Sequence, residues 1–295
     1  MTGRFGTVIT AMVTPFDEKG ALDVDAAVAL ARWLTDNGSD GLVLVGTTGE
    51  GPVLTDDEDV ELWRAITEAV NVPTIAGTGT NDTRHTIELT KRAEECGVDG
   101  ALVVTPYYNR PGQAGLEAHF RAVAESTKLP ILLYDIPIRS GRKIALDTFV
   151  RLSTVPNVVG VKDAAVDPSG SAKLRAAMPE SVEIYSGDDD QTLALMATAG
   201  AVGVISVASH WAGPLIAEMI AAFDKGDHAG ARELNARLIE SWEFRSTDAA
   251  PSPIPTKAMM RVMGHDVGQC RLPMGPAPAG LEDEARRVLA NLQRG

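Results

Sequence analysis

The fold is decided by the stretch Asn157-Val158-Val159-Gly160-Val161-Lys162-Asp163. Its β-branched residues predict a short buried strand, and that strand ends in a lysine. Lysine is rarely buried unless it has an ion-pair partner or is used for its amine chemistry. Because side chains alternate along a strand, Val158 and Gly160 are expected on the same face as Lys162, and the glycine would leave space beside the amine.

Seven similar apolar runs lie on either side of this strand, and a helix-length segment follows each one. This alternation predicts parallel βα units, and eight units in about 225 residues match a closed (β/α)8 barrel, the TIM barrel. An open doubly wound sheet is the alternative, but no Gly-x-Gly-x-x-Gly follows the first strand. The predicted strands are Thr7–Val13, Gly41–Val45, Thr74–Ala76, Ala101–Val104, Ile131–Tyr134, Val158–Val161, Val182–Ser186 and Val202–Ser206.

The last part of the chain has a different pattern, because strand-like runs cease beyond Phe223. Three helical segments follow at about 227–243, 255–263 and 279–293, and prolines separate them. We therefore predict two parts: a barrel over residues 1–225, and a C-terminal helical extension over residues 226–295 that packs on the barrel. Gly38, Gly97 and Gly200 are expected to end barrel helices in the left-handed conformation.

Composition excludes several classes of function. The chain has 295 residues, and 27 basic against 40 acidic side chains give a net charge of −13, which repels nucleic acid and anionic membranes. Cys96 and Cys270 show no disulfide or zinc spacing, and the five histidines show no metal spacing, so no metal is expected. With no secretory signal pattern and no long apolar segment, a cytoplasmic location is predicted.

Polar residues collect directly after the predicted strands. In a TIM barrel the active site lies at the carboxyl ends of the strands, so these residues should surround one mouth. Their hydroxyl groups and two cations suit a small substrate that carries a carboxylate and a carbonyl group. The strand-end sequences are Gly46-Thr47-Thr48-Gly49-Glu50, Thr105-Pro106-Tyr107-Tyr108-Asn109-Arg110, Tyr134-Asp135-Ile136-Pro137 with Arg139 close behind, Lys162, and Ser186-Gly187-Asp188-Asp189.

Two interpretations of Lys162 remain open at this point. It is the only one of eight lysines predicted to close a barrel strand, since the others fall in turns, loops or helices, Lys257 among them. Burial and a cation such as Arg139 would favour its neutral, nucleophilic form, which attack on a ketone requires. The alternative is a structural ion pair with Asp163 or Asp188.

In combination these motifs resemble a family of pyruvate-dependent class I aldolases that includes dihydrodipicolinate synthase and N-acetylneuraminate lyase. The resemblance runs from about Gly6 to the last helix, and each motif stands at a strand end in the same order. The residues that carry it are Gly46–Glu50, Thr105–Pro111, Tyr134–Gly141, Gly160–Lys162, Ser186–Asp189 and Gly203–Val207.

The resemblance implies a TIM barrel that assembles as a homotetramer, a dimer of tight dimers. It also implies that the enzyme needs no cofactor, because pyruvate is a substrate held covalently as an imine. The resemblance implies that Lys162 forms the Schiff base. Tyr134, Thr47 and a neighbouring subunit's Tyr108 would relay protons. Thr47 and Thr48 would also bind the pyruvate carboxylate, and the backbone of Gly187 and Ile205 would line the pocket.

Arg139 is the residue that separates members of the family. In the synthases an arginine at the Tyr-x-x-Pro-x-Arg position receives the carboxylate of aspartate semialdehyde, and a guanidinium suits that group. The resemblance, with Arg139 at this position, therefore implies condensation of pyruvate with L-aspartate 4-semialdehyde in lysine and diaminopimelate biosynthesis. The alternatives are a lyase for N-acetylneuraminate or a 2-keto-3-deoxy sugar acid, and a barrel without catalytic activity that only binds a ligand.

Some family members carry an inhibitory lysine site, and this chain departs from it. Tyr107 and Asn81 match that site, but His85 replaces an acidic residue, and Asp56 and Asp59 stand where histidines occur. Strong inhibition by lysine is therefore not expected, which initial rates with added lysine would test.

Overall fold

The computed structural model describes residues 3–294, and within that range eight parallel strands close into a barrel in chain order. Strand β8 returns to pair with β1, which confirms the predicted (β/α)8 fold. The observed ends differ from the predicted ends by at most two residues. The strands are β1 Val8–Ala11, β2 Gly41–Leu44, β3 Thr74–Gly77, β4 Gly100–Val104, β5 Ile131–Asp135, β6 Val158–Asp163, β7 Glu183–Ser186 and β8 Gly203–Ser206.

Helices connect the strands and form the outer layer. Several begin at side-chain caps: the Thr55 hydroxyl accepts from the Glu58 backbone N–H, and Asp82 caps the next helix in the same way. The helices are α1 Val24–Asp36, α2 Asp56–Ala69, α3 Thr83–Glu95, α4 Gln113–Glu125, α5 Pro137–Ser140, α6 Leu146–Leu152, α7 Pro168–Ala177, α8 Thr192–Ala199, α9 Ser209–Asp224, α10 His228–Phe244, α11 Ile254–Val262 and α12 Leu281–Arg294.

Three predicted helix ends are confirmed by backbone geometry. Gly38, Gly97 and Gly200 have φ values of 93°, 79° and 60°, and each follows a barrel helix. A residue with a β-carbon rarely adopts this conformation, so these glycines allow the chain to turn back toward the next strand.

The apolar core has two layers. An inner cluster fills the barrel and includes Ile9, Tyr134, Tyr185 and Ile205. A larger outer cluster lies between the strands and the surrounding helices. This division follows from the alternation of side chains along each strand, and it directs the residues at the strand ends either into the barrel or toward the helices.

Strand β6 departs from regular alternation in a way that the sequence pattern did not predict. Its pairing with β5 passes from Ile131–Val158 to Leu132–Gly160, a β-bulge that puts one extra residue in β6. Val158 therefore packs in the outer cluster, and the prediction that it shares the face of Lys162 is wrong. The expected space beside Gly160 is also absent, because a β-carbon there would lie 2.9 Å from Cδ2 of Leu132.

Helices α10, α11 and α12 form the C-terminal extension, and they share the outer core of the barrel. Leu238, Ala258 and Leu281 of these helices belong to the same buried cluster as the barrel strands. The indole N–H of Trp211 in α9 also donates to the Ser241 hydroxyl in α10 at 3.0 Å. None of the helices between residues 3 and 294 combines the length and apolarity that crossing a bilayer requires.

Candidate active site

A cavity of about 370 Å³ opens at the carboxyl ends of the strands. Its lining includes Thr47, Tyr107, Tyr134 and Arg139, four residues singled out from the sequence. They come from the loops after β2 and β4, from β5 and from α5. The closed barrel therefore brings separate strand-end motifs together at one mouth, as the parallel arrangement requires.

Lys162 lies near the end of β6 behind Tyr134, is 5% exposed and is not itself among the lining residues of the cavity. Its Nζ atom is 4.4 Å from the centre of the Tyr134 ring. None of the ion pairs within residues 3–294 involves Lys162. The two carboxylates considered as its partners have other contacts: Asp163 accepts from the Ser171 hydroxyl and the Ala165 N–H, and Asp188 pairs with Arg245 at 2.7 Å. The structural ion pair considered as the alternative is thus not formed in the part of the chain that is described.

The environment of Lys162 favours its neutral form. Burial is the largest influence and lowers the pKa of its amine to about 8, while the carboxylates of Asp189 and Asp188 act in the opposite direction and Arg139 lowers it further. About half of the amine is therefore neutral at pH 8. A buried amine without an ion pair is suited to nucleophilic attack on a carbonyl carbon.

Tyr134 is held against Lys162 as a protonated phenol. Burial raises the pKa of its hydroxyl to about 12, opposed by Arg139 and by the neighbouring Thr47 side chain. The phenol therefore keeps its proton near neutral pH and can donate it or pass it on. Thr47 lies beside this hydroxyl, as the predicted relay requires.

The loop that carries Thr47 and Thr48 has an unusual backbone. Val45 before it and Glu50 after it both have φ values of 59°, in the region that glycine usually occupies. A β-carbon at Gly51 or Gly77 would lie 2.6 Å from the Val45 carbonyl oxygen, so both positions require glycine. Such strained residues persist only where the surrounding structure holds them.

A buried ion pair holds this loop from the C-terminal extension. Lys257 of α11 places Nζ 2.7 Å from Oε1 of Glu50, and the two side chains are 1% and 2% exposed. The other Glu50 oxygen accepts from the backbone N–H of Arg271 at 2.8 Å. Sequence reasoning missed the pair because Lys257 was placed at the start of a helix, although the apolar sequence Ile-Pro-Thr-Lys-Ala-Met-Met around it was a signal of burial.

The loop after β7 is held from two directions. Asp189 is buried and accepts from the backbone N–H groups of Val207 and Ala208 at 3.2 and 3.1 Å, while the Gly187 N–H donates to the Asp163 carbonyl at 2.7 Å. Gly187 and Ile205 do not line the open cavity; Ile205 lies in the inner core with Tyr134. Their predicted roles toward pyruvate stay predictions.

The two tyrosines after β4 differ in environment. Tyr107 is partly buried and lines the cavity, whereas Tyr108 is 89% exposed, has a φ of 72° and is absent from the lining. The fold of a single chain therefore does not bring Tyr108 into the site. A contribution of Tyr108 to catalysis would require a second subunit.

Arg139 lies at the rim of the same cavity, and its side chain is exposed. Among the described residues it forms no ion pair, and its only side-chain hydrogen bond is a long one of 3.5 Å to the Ser252 carbonyl. Its guanidinium is therefore available for a carboxylate that enters the mouth.

The cavity continues into a groove between α2 and α3. Asp56, Asp59 and His85 line this part, and His85 Nε2 lies 3.0 Å from Oδ1 of Asp56. Asp59 is buried, which raises the pKa of its carboxyl to about 8. The predicted weakness of lysine inhibition rests on these residues and stays a prediction.

Two further features bear on the sequence predictions. Cys96 and Cys270 are free, as their spacing predicted, and the structure also places both of them in buried positions. Within residues 3–294, no group of three or more His, Cys, Asp or Glu side chains is arranged to hold a metal ion.

Comparison with known proteins agrees with the geometry. The model of the dihydrodipicolinate synthetase family matches residues 4–292. A 4-hydroxy-tetrahydrodipicolinate synthase from Synechococcus sp. strain CC9605 is 49% identical, with 97% of this chain and 94% of the relative covered. The solved structure of dihydrodipicolinate synthase from Bacillus anthracis has a TM-score of 0.94 and is 44% identical, with 98% of this chain and 99% of that chain covered. The structure from Cyanidioschyzon merolae with lysine bound also has a TM-score of 0.94 and is 41% identical, with 98% of both chains covered.

Proposed function

Because the chain belongs to the dihydrodipicolinate synthetase family, we propose that it catalyses the 4-hydroxy-tetrahydrodipicolinate synthase reaction, the condensation of pyruvate with L-aspartate 4-semialdehyde in lysine and diaminopimelate biosynthesis. The observation that carries this proposal is the buried amine of Lys162, which lies against Tyr134 and is in no ion pair with any other described residue. A lysine in this state at the mouth of a TIM barrel has the chemistry of a Schiff-base aldolase.

The first half of the reaction uses the groups around Lys162. The neutral amine attacks the ketone carbon of pyruvate, the carbinolamine loses water, and the imine then loses a methyl proton to form an enamine. Tyr134 lies against the amine and Thr47 lies beside the Tyr134 hydroxyl, so these two would move the protons, and Tyr108 of a neighbouring subunit would complete the relay. Thr47 and Thr48 would hold the pyruvate carboxylate.

The second half depends on the rim of the cavity. The enamine carbon attacks the aldehyde carbon of the semialdehyde, and the amine of that substrate later displaces Lys162 as the ring closes. Arg139 supports the choice of aldehyde, since its guanidinium lines the mouth and forms no ion pair with another described side chain. It would bind the carboxylate of the semialdehyde through paired hydrogen bonds.

Borohydride trapping tests the proposal. Treatment of the enzyme with pyruvate and borohydride should reduce the imine to a secondary amine and leave a 1-carboxyethyl group on the peptide that contains Lys162. The peptide that contains Lys257 serves as an internal control, because that amine is buried in an ion pair. An unmodified Lys162 would exclude every pyruvate aldolase and favour a barrel that only binds a ligand.

Substrate turnover then distinguishes members of the family. We expect product from pyruvate and aspartate semialdehyde, measured as semialdehyde-dependent loss of pyruvate. Cleavage of N-acetylneuraminate or a 2-keto-3-deoxy sugar acid without turnover of the semialdehyde would contradict the proposed specificity.

The proposal includes an assembly and a location. A homotetramer of tight dimers is supported by the exposure of Tyr108, which a neighbouring subunit would cover. The two free, buried cysteines support a reducing compartment such as the cytoplasm.

A further inference from the structure

Three consecutive aspartates form the loop beside Lys162, and one arginine of the extension binds them. Arg245, directly after α10, places its guanidinium 2.7 Å from Asp188 and 2.9 Å from Asp190, while its Nε lies 3.7 Å from Asp189. The Arg245 side chain is 18% exposed, so solvent screens these contacts only in part. No other basic side chain of residues 3–294 is in an ion pair with this loop.

We propose that Arg245 is a positioning residue for the imine-forming step: it neutralises the Asp188–Asp190 loop and thereby keeps the amine of Lys162 reactive near neutral pH. This inference rests on the proposed function. It assigns a catalytic effect to a residue of the C-terminal extension that touches neither substrate nor Lys162.

Charged groups act on Lys162 from two sides. Tyr134 of β5 lies against the amine, the carboxylates of Asp189 and Asp188 in the loop after β7 act on its charge, and Arg139 of α5 acts in the opposite direction. The two carboxylates favour the protonated amine, which cannot attack a ketone. Asp189 accepts from the backbone N–H groups of Val207 and Ala208, directly after β8, and these contacts hold it in place if Arg245 is lost.

Loss of Arg245 would leave these carboxylates without their cation and raise the pKa of Lys162. The neutral fraction of an amine falls as its pKa rises, and the loss is greatest below that pKa. In Arg245→Gln we therefore expect the acidic limb of the pH profile to move upward by about 0.5 to 1 pH unit. Imine formation should then slow roughly three- to tenfold at pH 7 and less than twofold at pH 9.5.

The measurement is the rate of imine formation with pyruvate alone, from rapid mixing and a borohydride quench at a series of pH values. Arg245→Lys keeps a cation and should restore most of the wild-type profile. Arg287→Gln is the matched control, because it removes one positive charge from α12, where Arg287 pairs with Glu240. The acidic limb of the pH profile should not shift in this variant.

Two results separate failure of this inference from failure of the proposed function. If the wild-type enzyme forms the imine but Arg245→Gln and Arg245→Lys slow it equally at every pH, Arg245 has only a structural role and the inference is overturned. If the wild-type enzyme forms no imine, the proposed function itself fails. Thermal unfolding of each variant confirms that it is folded at the assay temperature.

Discussion

Burial is the main influence on the amine of Lys162, and the nearby charges modify it. The sequence alone placed this lysine correctly at the end of β6, because a strand that ends in a barrel mouth can be recognised from its apolar pattern. It did not predict the β-bulge, since an extra residue in one strand depends on the register of its neighbour. The predicted face of Val158 was therefore wrong, whereas the predicted position of Lys162 was correct.

Arg139 provides a test of specificity at the scale of one residue. Arg139→Ala should reduce kcat/KM for the semialdehyde by roughly 100-fold, because charge-assisted hydrogen bonds contribute about 2 to 3 kcal/mol. Imine formation with pyruvate should change by less than about threefold, since loss of this cation alters only a minor influence on the pKa of Lys162.

A control in the same segment makes the Arg139 result specific. Lys143→Ala removes a cation that pairs with Asp167 and does not line the cavity, so both activities should stay near the wild-type values. Equal losses of semialdehyde use and imine formation in Arg139→Ala would contradict its role in recognising the second substrate.

The loop between Val45 and Glu50 shows how an element can depend on a distant part of the chain. Its two left-handed residues cost free energy, and the contacts of Glu50 with Lys257 and Arg271 offset that cost. The sequence revealed the motif but not its partner, because nothing local indicates which helix will contact a buried carboxylate. For the same reason the burial of Lys257 was not predicted, although its place near the start of a helix was.

Substitution of Lys257 tests this dependence. Lys257→Met should lower the free energy of unfolding by about 3 kcal/mol, because it leaves the Glu50 charge buried without a cation. Urea unfolding measures that loss, and the double variant Glu50→Gln/Lys257→Met should recover part of it.

Kinetics distinguishes loop positioning from stability alone. The KM for pyruvate should rise roughly tenfold in both Lys257→Met and the double variant, because the loop that carries Thr47 and Thr48 is no longer held and such misplacement is costly. A double variant that regains both stability and the wild-type KM would show that the ion pair only stabilises the fold.

At the scale of the whole molecule, most of the architecture could be predicted and most of the long-range contacts could not. The order of eight strands follows from repeated apolar runs, and each strand end from its flanking turn residues. Contacts of Arg245 and Lys257 with the barrel mouth arise only when the extension packs on the barrel. Assembly is still harder to predict from local sequence, since the exposure of Tyr108 is known only from the folded chain.

A mixing experiment tests the assembly. Lys162→Ala and Tyr108→Phe should each be poorly active alone, but subunits exchanged by dilution and reassembly should recover about a quarter of wild-type activity. Half of the dimers that form at random contain one subunit of each variant. One of the two sites in such a dimer has both native residues, so a quarter of all sites are native. If mass measurement confirms subunit exchange but the activity does not recover on mixing, the proposed role of Tyr108 in a neighbouring subunit's site is contradicted.

The contacts between the extension and the mouth also set when the site is completed during synthesis. Thr47, Tyr134 and Lys162 leave the ribosome before Arg245 and Lys257, and nascent chains begin to fold from their N-terminal part. A growing chain with a closed barrel would therefore still lack the cation beside its aspartate loop and the anchor of its threonine loop. Such a chain should form the imine more slowly and bind pyruvate more weakly than a chain whose extension has packed on the barrel.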